Sequence, residues 1–220
     1  MPKANAKPQT SPAPKKKPKK RDADATRAAI LHAAEIEFLE HGLRGTAVST
    51  IATRAGVTKS LIHHHFGSKS NLWQTVKAER MAAYAKDQIT MLDSEPLDES
   101  LAIRSMVSYF RFLQETPEVI QLLCWMFIEQ DDRDFGGIAL QLVDSGIAKF
   151  AEGQRIGVIR PDLDPRLILA AYLSLVQHWF QDRDFFAARF DSKMPKEQLD
   201  EAYLQAVLKI FFDGIRARET

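Results

Sequence analysis

The chain has 220 residues, of which 45% are hydrophobic and 27% are charged; this is a globular composition that excludes a wholly disordered chain and allows one or two domains. Cys124 is the single cysteine, so an intramolecular disulfide and a compact Cys-x-x-Cys zinc module are both excluded. The formal net charge of +1 averages two unlike pieces, because residues 1–21 carry +8 with no acidic residue and the remainder carries −7.

No segment of the sequence is predicted to cross a membrane. The longest strongly apolar stretch, Val119 to Ile128, has ten residues, whereas a spanning helix needs roughly 20. No apolar segment follows the basic N-terminus, so it lacks the pattern of a secretory signal. We therefore expect a soluble cytoplasmic protein without a membrane partner.

Residues 1–24 are predicted to form a disordered basic arm. They hold seven lysines and five of the ten prolines, and such a segment cannot bury enough apolar area to fold. The arm either serves only as a solubilising tail or adds a DNA contact along phosphates or in a minor groove, and the sequence favours neither. Binding to a membrane surface and nuclear import are weaker alternatives.

From residue 25 onward the sequence predicts an all-α protein, because strand alternation and hairpin turns are nearly absent. The first helix is expected from about Ala25 to His41. Ile30, Ala34 and Phe38 fall at helical spacing on one face. Gly42 follows them at the position of a C-terminal cap.

The next two predicted helices are short and separated by a tight turn. Val48 to Ala55 forms the second helix, Gly56 permits the turn, and Thr58 caps a third helix that ends near Phe66. Two short helices joined by a glycine-containing turn are typical of a helix-turn-helix. A fourth helix begins near Lys69 and meets neither glycine nor proline before residue 95.

The stretch from Thr26 to Val76 resembles the N-terminal domain of TetR-family transcriptional regulators. The matching positions are Arg27, Ile30, Leu31, Ala33, Ala34, Phe38, Gly42, Thr46, Ile51, Ala52, Ala55, Gly56, Val57, Thr58, Lys59, Phe66, Ser68, Lys69 and Leu72. The resemblance implies a three-helix domain with a helix-turn-helix at residues 25–70. It also implies a C-terminal helical bundle at residues 71–220 that binds a ligand and forms a homodimer.

The resemblance also implies a set of DNA-contacting residues on the second and third helices and at the start of the fourth. They are Thr46, Ser49, Thr58, Lys59, Ser60, Leu61, His63, His64 and Lys69. Thr58, Lys59 and Ser60 would face base edges or phosphates, and Leu61 would contact a thymine methyl group. Lys69 would hold a phosphate by its charge and its position at a helix N-terminus, and Thr46 and Ser49 would contact further phosphates.

Three consecutive histidines, His63 to His65, end the third helix. Successive helical residues point about 100° apart, so three in a row cannot close on one metal ion. No metal site and no cofactor are therefore predicted. The family usually has a tyrosine at position 63 and a hydroxyl residue at position 47; here they are His63 and Ala47. We expect His63 and His64 to face phosphates, with binding strengthened below about pH 6.5.

Seven residues of the C-terminal half are candidates for an apolar ligand pocket: Met106, Phe110, Trp125, Phe127, Tyr172, His178 and Trp179. Each one alone is more easily explained as ordinary core, but their abundance favours a cavity among them. His178 would offer a polar group to the ligand.

The last two predicted helices, Pro165 to Phe190 and Pro195 to Arg218, are apolar on more than one face. The stripes of the first are Ile168, Tyr172, Leu175 and Trp179, and Leu169, Leu173, Val176 and Phe180; those of the second are Leu199, Tyr203, Ala206 and Ile210, and Leu204, Leu208, Phe211 and Ile215. A helix pair with two apolar faces needs a second partner, which a four-helix bundle with another copy would supply.

The sequence thus predicts a dimeric regulator, most often a repressor in this family, that binds a palindromic double-stranded operator and is released by an unknown small molecule. One alternative is an architectural DNA-binding protein that uses the basic arm without any effector. An enzyme using Glu129 and His178 is a further class, but no nucleophile elbow, paired carboxylates or phosphate loop supports it.

Overall fold

The computed structural model describes residues 20–131, 135, 137–190 and 194–217. Within these ranges the regular elements are nine α-helices and no strands. They are α1 Lys20–Gly45, α2 Val48–Ala55, α3 Lys59–Phe66, α4 Lys69–Ser94, α5 Glu99–Glu115, α6 Pro117–Ile128, α7 Ile138–Arg155, α8 Pro165–Arg189 and α9 Lys196–Ile215. The all-α prediction is confirmed, and no helix in the described ranges is long and apolar enough to span a bilayer.

Helix α1 begins at Lys20, earlier than predicted. Asp22 lies in its first turn, where a negative charge is favoured by the helix dipole, and Thr26 Oγ1 donates to the Asp22 carbonyl at 2.7 Å. The predicted disorder of residues 20–24 is therefore wrong. The rest of the basic arm, residues 1–19, lies outside the described residues.

Gly42 interrupts α1 where the sequence predicted its end. Its φ of +69° lies in the left-handed region, which disfavours residues with a Cβ. A Cβ at this position would also lie 2.6 Å from Glu129 Oε1 and 2.7 Å from the Trp125 ring. Both conformation and space therefore require glycine, and the chain turns here toward α2.

The three N-terminal helices enclose a small core that fixes α3. Ile30, Phe38, Ile51 and Ile62 are fully buried, and each such side chain stabilises the fold by about 1.5–3 kcal/mol. The Phe38 ring meets Trp73 of α4 edge to face, with centroids 5.1 Å apart. Because Trp73 contributes to this core, α4 packs directly against the N-terminal helices and continues into the rest of the chain.

Helices α5, α6 and α7 pack against α4, whereas α8 packs mainly against α5 and α7, and α9 packs against α5 and α8. A buried polar cluster holds three of them together around Asp200 of α9. Its carboxylate accepts from Trp179 Nε1 at 2.8 Å, from Arg183 Nη1 at 2.7 Å and from Gln114 Nε2 at 3.1 Å. A buried charge is stable only with such partners, so α5, α8 and α9 form one unit.

The apolar stripes of α8 and α9 are arranged differently from the prediction. Both predicted stripes of α8 face the interior of the same subunit, because the cavity described below and the bundle core lie on neighbouring sides of that helix. Its exposed apolar residues include Leu167, which is 68% exposed, and Ala171 in the first half, and Phe185, which is 60% exposed, and Phe186 near the C-terminal end. On α9, Ile210 is 69% exposed and Ala206 is exposed, as an unpartnered face requires.

Candidate functional site

Helix α3 presents a continuous exposed surface. Ile62 and Phe66 are buried and attach the helix to the domain core. Lys59, Ser60, Leu61, His63 and His64, all predicted DNA-contact residues, lie on the exposed side. A short helix anchored on one side and polar on the other can enter a major groove.

Thr58 is exposed and caps α3. Its Oγ1 accepts from the Leu61 N–H at 3.4 Å and lies 3.1 Å from Ser60 Oγ. The cap fixes the start of α3, and the hydroxyl remains at the surface, where a phosphate or base edge would meet it.

The N-terminus of α2 has no side-chain cap. Ala47 occupies the cap position with no side-chain hydrogen bond, and Thr50 Oγ1 donates to the Ala47 carbonyl at 2.7 Å. The first N–H groups of α2 are therefore not used by a capping side chain, and Ser49 beside them is half-buried. Uncapped N–H groups at a helix start are a common phosphate contact. The sequence marked Ala47 only as a departure from the family's usual hydroxyl residue.

Thr46 does not lie on the exposed surface, so the predicted phosphate contact of its side chain is wrong. The residue is 3% exposed, and its Oγ1 lies 2.6 Å from the Gly42 carbonyl and 3.0 Å from the Glu37 carbonyl. The single hydroxyl proton is thereby used inside the domain, where it fixes the turn between α1 and α2.

Lys69 is half-buried and reaches the same turn. Its Nζ donates to the Leu43 carbonyl at 2.7 Å and to the Thr46 carbonyl at 2.8 Å. An ammonium group has three protons, so one remains for a phosphate. The residue has a structural role that the resemblance did not imply, and its phosphate contact stays a prediction.

The histidine run is not arranged around a common point. His63 and His64 are exposed and His65 is half-buried. Within the described ranges no group of three or more histidine, cysteine or acidic side chains could hold a metal ion. His63 Nδ1 lies 3.0 Å from the Gly67 carbonyl, and because a carbonyl only accepts, Nδ1 must carry the proton.

Helix α6 is bonded to the C-terminal end of α1. Trp125 Nε1 and Gln121 Nε2 donate to the Leu39 carbonyl at 2.9 and 2.8 Å. Glu129 Oε1 accepts from the Arg44 N–H at 2.8 Å, and the Glu129 carbonyl accepts from Arg44 Nη2 at 3.2 Å. Trp125 was predicted to line a ligand pocket; it instead joins the two domains.

A second hydrogen-bonded link, between α4 and the segment after α6, lies deeper. The fully buried Lys77 of α4 donates to Asp131 Oδ1 at 2.8 Å, and Trp73 Nε1 donates to Asp131 Oδ2 at 2.5 Å. Removing one partner of such a buried pair costs several kcal/mol, because the other charge is left unpaired. The segment after α6 is thus fixed to α4.

A largely apolar cavity of about 230 Å³ lies between α4, α5, α7 and α8. Its wall includes Met81, Tyr84 and Gln88 from α4, Ser105 and Tyr109 from α5, Val119 and Leu123 from α6, Val143, Lys149 and Phe150 from α7, and Leu169, Tyr172 and Gln177 from α8. The prediction of an apolar cavity in this half of the chain agrees with this geometry.

Of the seven predicted pocket residues, only Tyr172 belongs to this wall. Met106 and Phe110 are fully buried core, and Trp179 is bonded to Asp200. Phe127 is 71% exposed, and His178 faces outward on α8. The pocket assignments of the other six residues are therefore wrong. The sequence shows that such a residue lies on a helix, but it does not show which other helix its side chain contacts.

The polar groups of the cavity come from residues that the sequence did not mark. Gln88, Ser105 and Tyr172 form one hydrogen-bonded chain, and Gln177 Nε2 donates to Tyr109 Oη at 2.6 Å. Burial raises the pKa of the Tyr172 and Tyr84 hydroxyls, so both stay protonated at neutral pH.

Comparison with known proteins gives the same picture. Residues 30–76 match the family description "Bacterial regulatory proteins, tetR family", and residues 106–208 match the "Tetracyclin repressor-like, C-terminal domain". The chain is 29% identical over 161 residues to the HTH-type transcriptional repressor SCO4008 of Streptomyces coelicolor, covering 72% of this chain and 80% of that protein. It is 31% identical over 157 residues to the HTH-type transcriptional regulatory protein RaaS of Mycobacterium tuberculosis, covering 66% of each.

The same fold occurs in a solved structure, the transcriptional regulator SCO4942 from Streptomyces coelicolor. The two chains superpose with a TM-score of 0.68 at 23% identity, over 88% of this chain and 99% of the other. At this level of identity the comparison establishes the fold alone.

The anchored, exposed α3 and the helical body define a helix-turn-helix DNA-binding protein. The chain belongs to the TetR family of transcriptional regulators. Members of this family bind DNA as dimers, and the named relatives are transcriptional regulators rather than enzymes.

Proposed function

We propose that the protein is a sequence-specific repressor that leaves a palindromic operator when a small molecule occupies the cavity. The observation that carries this proposal is the position of α6. Val119 and Leu123 of this helix line the cavity, while Gln121 and Trp125 hold the Leu39 carbonyl of α1. A ligand that displaces α6 therefore acts directly on the DNA-binding domain.

Helix α4 supports the same coupling. Its C-terminal part contributes Tyr84 and Gln88 to the cavity wall, and its first residue, Lys69, holds the turn before α2. A rotation of α4 would change the separation of the two recognition helices in a dimer. Half-sites about 34 Å apart would then no longer be matched. An effector needs a preference of about 1–3 kcal/mol for the released state.

The dimer would form through α8 and α9. Leu167 and Ala171 of α8 and Ala206 and Ile210 of α9 are among the apolar residues that these helices leave exposed, together with Phe185 near the end of α8. Burying both pairs against a second copy would produce a four-helix bundle and give the two α3 helices the twofold symmetry of a palindrome.

Several relatives support the repressor assignment, among them SCO4008, which is named a transcriptional repressor. The DNA contacts proposed for this chain are those of Thr58, Lys59, Ser60, Leu61, His63 and His64 on and before α3, with Ser49 and the uncapped N–H groups of α2. Lys69 would add a phosphate contact through its remaining proton.

The first experiment is selection of bound duplexes from a random DNA pool at about 0.15 M salt, with the full chain and with a chain lacking residues 1–19. Recovery of one palindrome by both proteins is the expected result. If no motif is recovered and binding is lost with the arm, the protein is an architectural DNA-binding protein and the proposal is wrong.

The second experiment tests release. Small molecules are screened for loss of the complex with the recovered operator, and active compounds are then tested on two variants. Ala139→Phe places a ring in the cavity, whereas Ala148→Phe adds the same ring on the exposed side of α7. The compound should release wild type and Ala148→Phe but not Ala139→Phe. Equal release of all three would place the effector elsewhere.

A further inference from the structure

Among the described residues that line the cavity, Lys149 is the one with a formal charge at neutral pH, and this charge is paired. Its Nζ donates to the Glu95 carbonyl at 2.7 Å and to Glu152 Oε2 at 3.0 Å, and neither partner lines the cavity. An ionised ligand would lose its hydration here without gaining a counter-ion.

The hydrogen-bonded chain in the wall fixes the orientation of the Gln88 amide. Gln88 Nε2 donates to the Ser105 carbonyl at 3.2 Å, and Gln88 Oε1 accepts from Ser105 Oγ at 3.1 Å. The reversed amide would place two acceptors against each other at the carbonyl. Since the Ser105 proton goes to Gln88, Tyr172 Oη donates to Ser105 Oγ across 3.3 Å.

This series of hydrogen bonds leaves over one N–H donor of Gln88, a residue that lines the cavity. The Gln88 amide has two N–H groups, and within the described ranges only one of them, toward the Ser105 carbonyl, is paired. Gln88 is 2% exposed, so water outside the protein cannot readily pair the second. A buried donor without a partner costs free energy, and a ligand oxygen in the cavity would remove that cost.

The remaining wall favours an apolar body of modest size. Most of the other side chains that line it, such as Met81, Leu123 and Val143, are apolar, so an apolar ligand would gain contacts without burying unpaired polar groups. The volume of about 230 Å³ is below the roughly 300–1,000 Å³ of pockets for drug-sized ligands.

We propose that the cavity binds an uncharged, mainly apolar molecule that carries one hydrogen-bond-accepting oxygen, which receives the second N–H of Gln88. The regulatory meaning of this binding rests on the proposed function, but the binding itself does not require DNA.

The test compares three probes with the same ring system on the full chain without DNA: 2-acetylnaphthalene, 2-ethylnaphthalene and 2-naphthoate. Affinities are measured by calorimetry. The acetyl compound should bind about tenfold more tightly than the ethyl compound, because only its oxygen pairs with Gln88. The naphthoate should bind at least about a hundredfold more weakly than the acetyl compound.

Two glutamine variants assign the oxygen. Gln88→Leu should abolish the preference for the acetyl compound while the ethyl compound still binds. Gln177→Leu, which changes the other glutamine of the wall, should keep the preference. The comparison of probes on the native chain stands even where a variant fails to fold.

The outcomes separate this inference from the proposed function. Absence of binding by both neutral probes, tighter binding of the naphthoate, or equal binding of acetyl and ethyl compounds would overturn the ligand class, whatever the DNA selection shows. Probe binding with the expected preference but unchanged operator affinity would leave the ligand class intact and count against release by cavity ligands.

Discussion

The carboxylate of Glu129 accepts a hydrogen bond of 2.8 Å from the backbone N–H of Arg44. Glu129 directly follows α6, and Arg44 lies in the last turn of α1, just before α2. The bond therefore joins the end of the helix that borders the cavity to the N-terminal DNA-binding domain. The other carboxylate oxygen of Glu129, Oε2, is buried and has no hydrogen-bond partner in the described ranges. The burial of this oxygen therefore carries a desolvation cost.

Replacing Glu129 should weaken the coupling between cavity and DNA. Glu129→Ala leaves the Arg44 N–H unpaired, and we expect a loss of about 1–3 kcal/mol in the free energy of unfolding. We also expect a smaller change of operator affinity upon effector binding. Glu129→Gln keeps an acceptor and should retain most of the coupling. Operator affinity measured with and without effector checks this, and exposed Glu115→Ala is the control. A full response in Glu129→Ala would contradict the role given to this bond.

Lys69 and Lys59 should separate stability from recognition. Lys69→Ala removes the donor to the Leu43 and Thr46 carbonyls, so thermal unfolding should show a loss of about 1–3 kcal/mol together with weaker binding to all DNA sequences alike. Lys59→Ala should leave stability unchanged, weaken binding and relax preference within the half-site. Unfolding curves and binding to matched and mismatched duplexes decide both. Unchanged affinity and preference in Lys59→Ala would mean that α3 is not the recognition helix.

His63 should contribute to operator affinity. Its ring is exposed on α3, and the hydrogen bond between Nδ1 and the Gly67 carbonyl at 3.0 Å holds the ring in place. A polar side chain that is already positioned loses less conformational freedom when it meets DNA. His63→Ala should therefore weaken operator binding by about 1 kcal/mol.

The control His178→Ala, on the exposed side of α8, should leave operator affinity unchanged. Operator affinity at constant salt measures both variants. Wild-type affinity in His63→Ala would exclude a DNA contact by this ring.

Glu37 should contribute to the acid sensitivity of the N-terminal domain. The hydrogen bond from Arg54, at 2.8 Å, lowers the pKa of the buried Glu37 carboxyl below its ordinary value of 4.5. A lowered pKa in the folded state means stability that is present above the unfolded pKa and is lost as pH falls through the folded pKa. Glu37→Gln should therefore melt below wild type at pH 7, and the melting temperatures of the two proteins should approach each other as pH falls below 4.5. A constant difference would contradict this pKa shift.

The helix-turn-helix could be predicted from the sequence almost residue by residue, because its signals are local. The cap at Thr58, the turn at Gly56 and the apolar spacing of α2 and α3 each act within a few residues of chain. The bounds Val48–Ala55 and Lys59–Phe66 agree with the prediction.

The cavity could not be predicted at the level of residues. Gln88 and Ser105 belong to different helices, and nothing in their sequence neighbourhoods indicates that they meet. The same holds for Thr46. Its hydroxyl is buried against the carbonyls of Glu37 and Gly42, and these carbonyls come close to Thr46 only because the chain turns at Gly42. Tryptophan is a common residue type in ligand pockets, but the two tryptophans predicted there have other partners. The Trp125 indole N–H bonds to the Leu39 carbonyl at the domain junction, and the Trp179 indole N–H bonds to Asp200.

Helix α8 places Tyr172 in the cavity wall on one side and Leu167 and Ala171 on its exposed side. If the exposed side pairs with a second copy, α8 alone separates each cavity from the partner subunit. A ligand that fills one cavity would then shift α8 against the partner subunit and change the shape of the empty cavity across the twofold axis. The two sites would not fill independently, and the response to effector concentration would depart from a simple one-site curve.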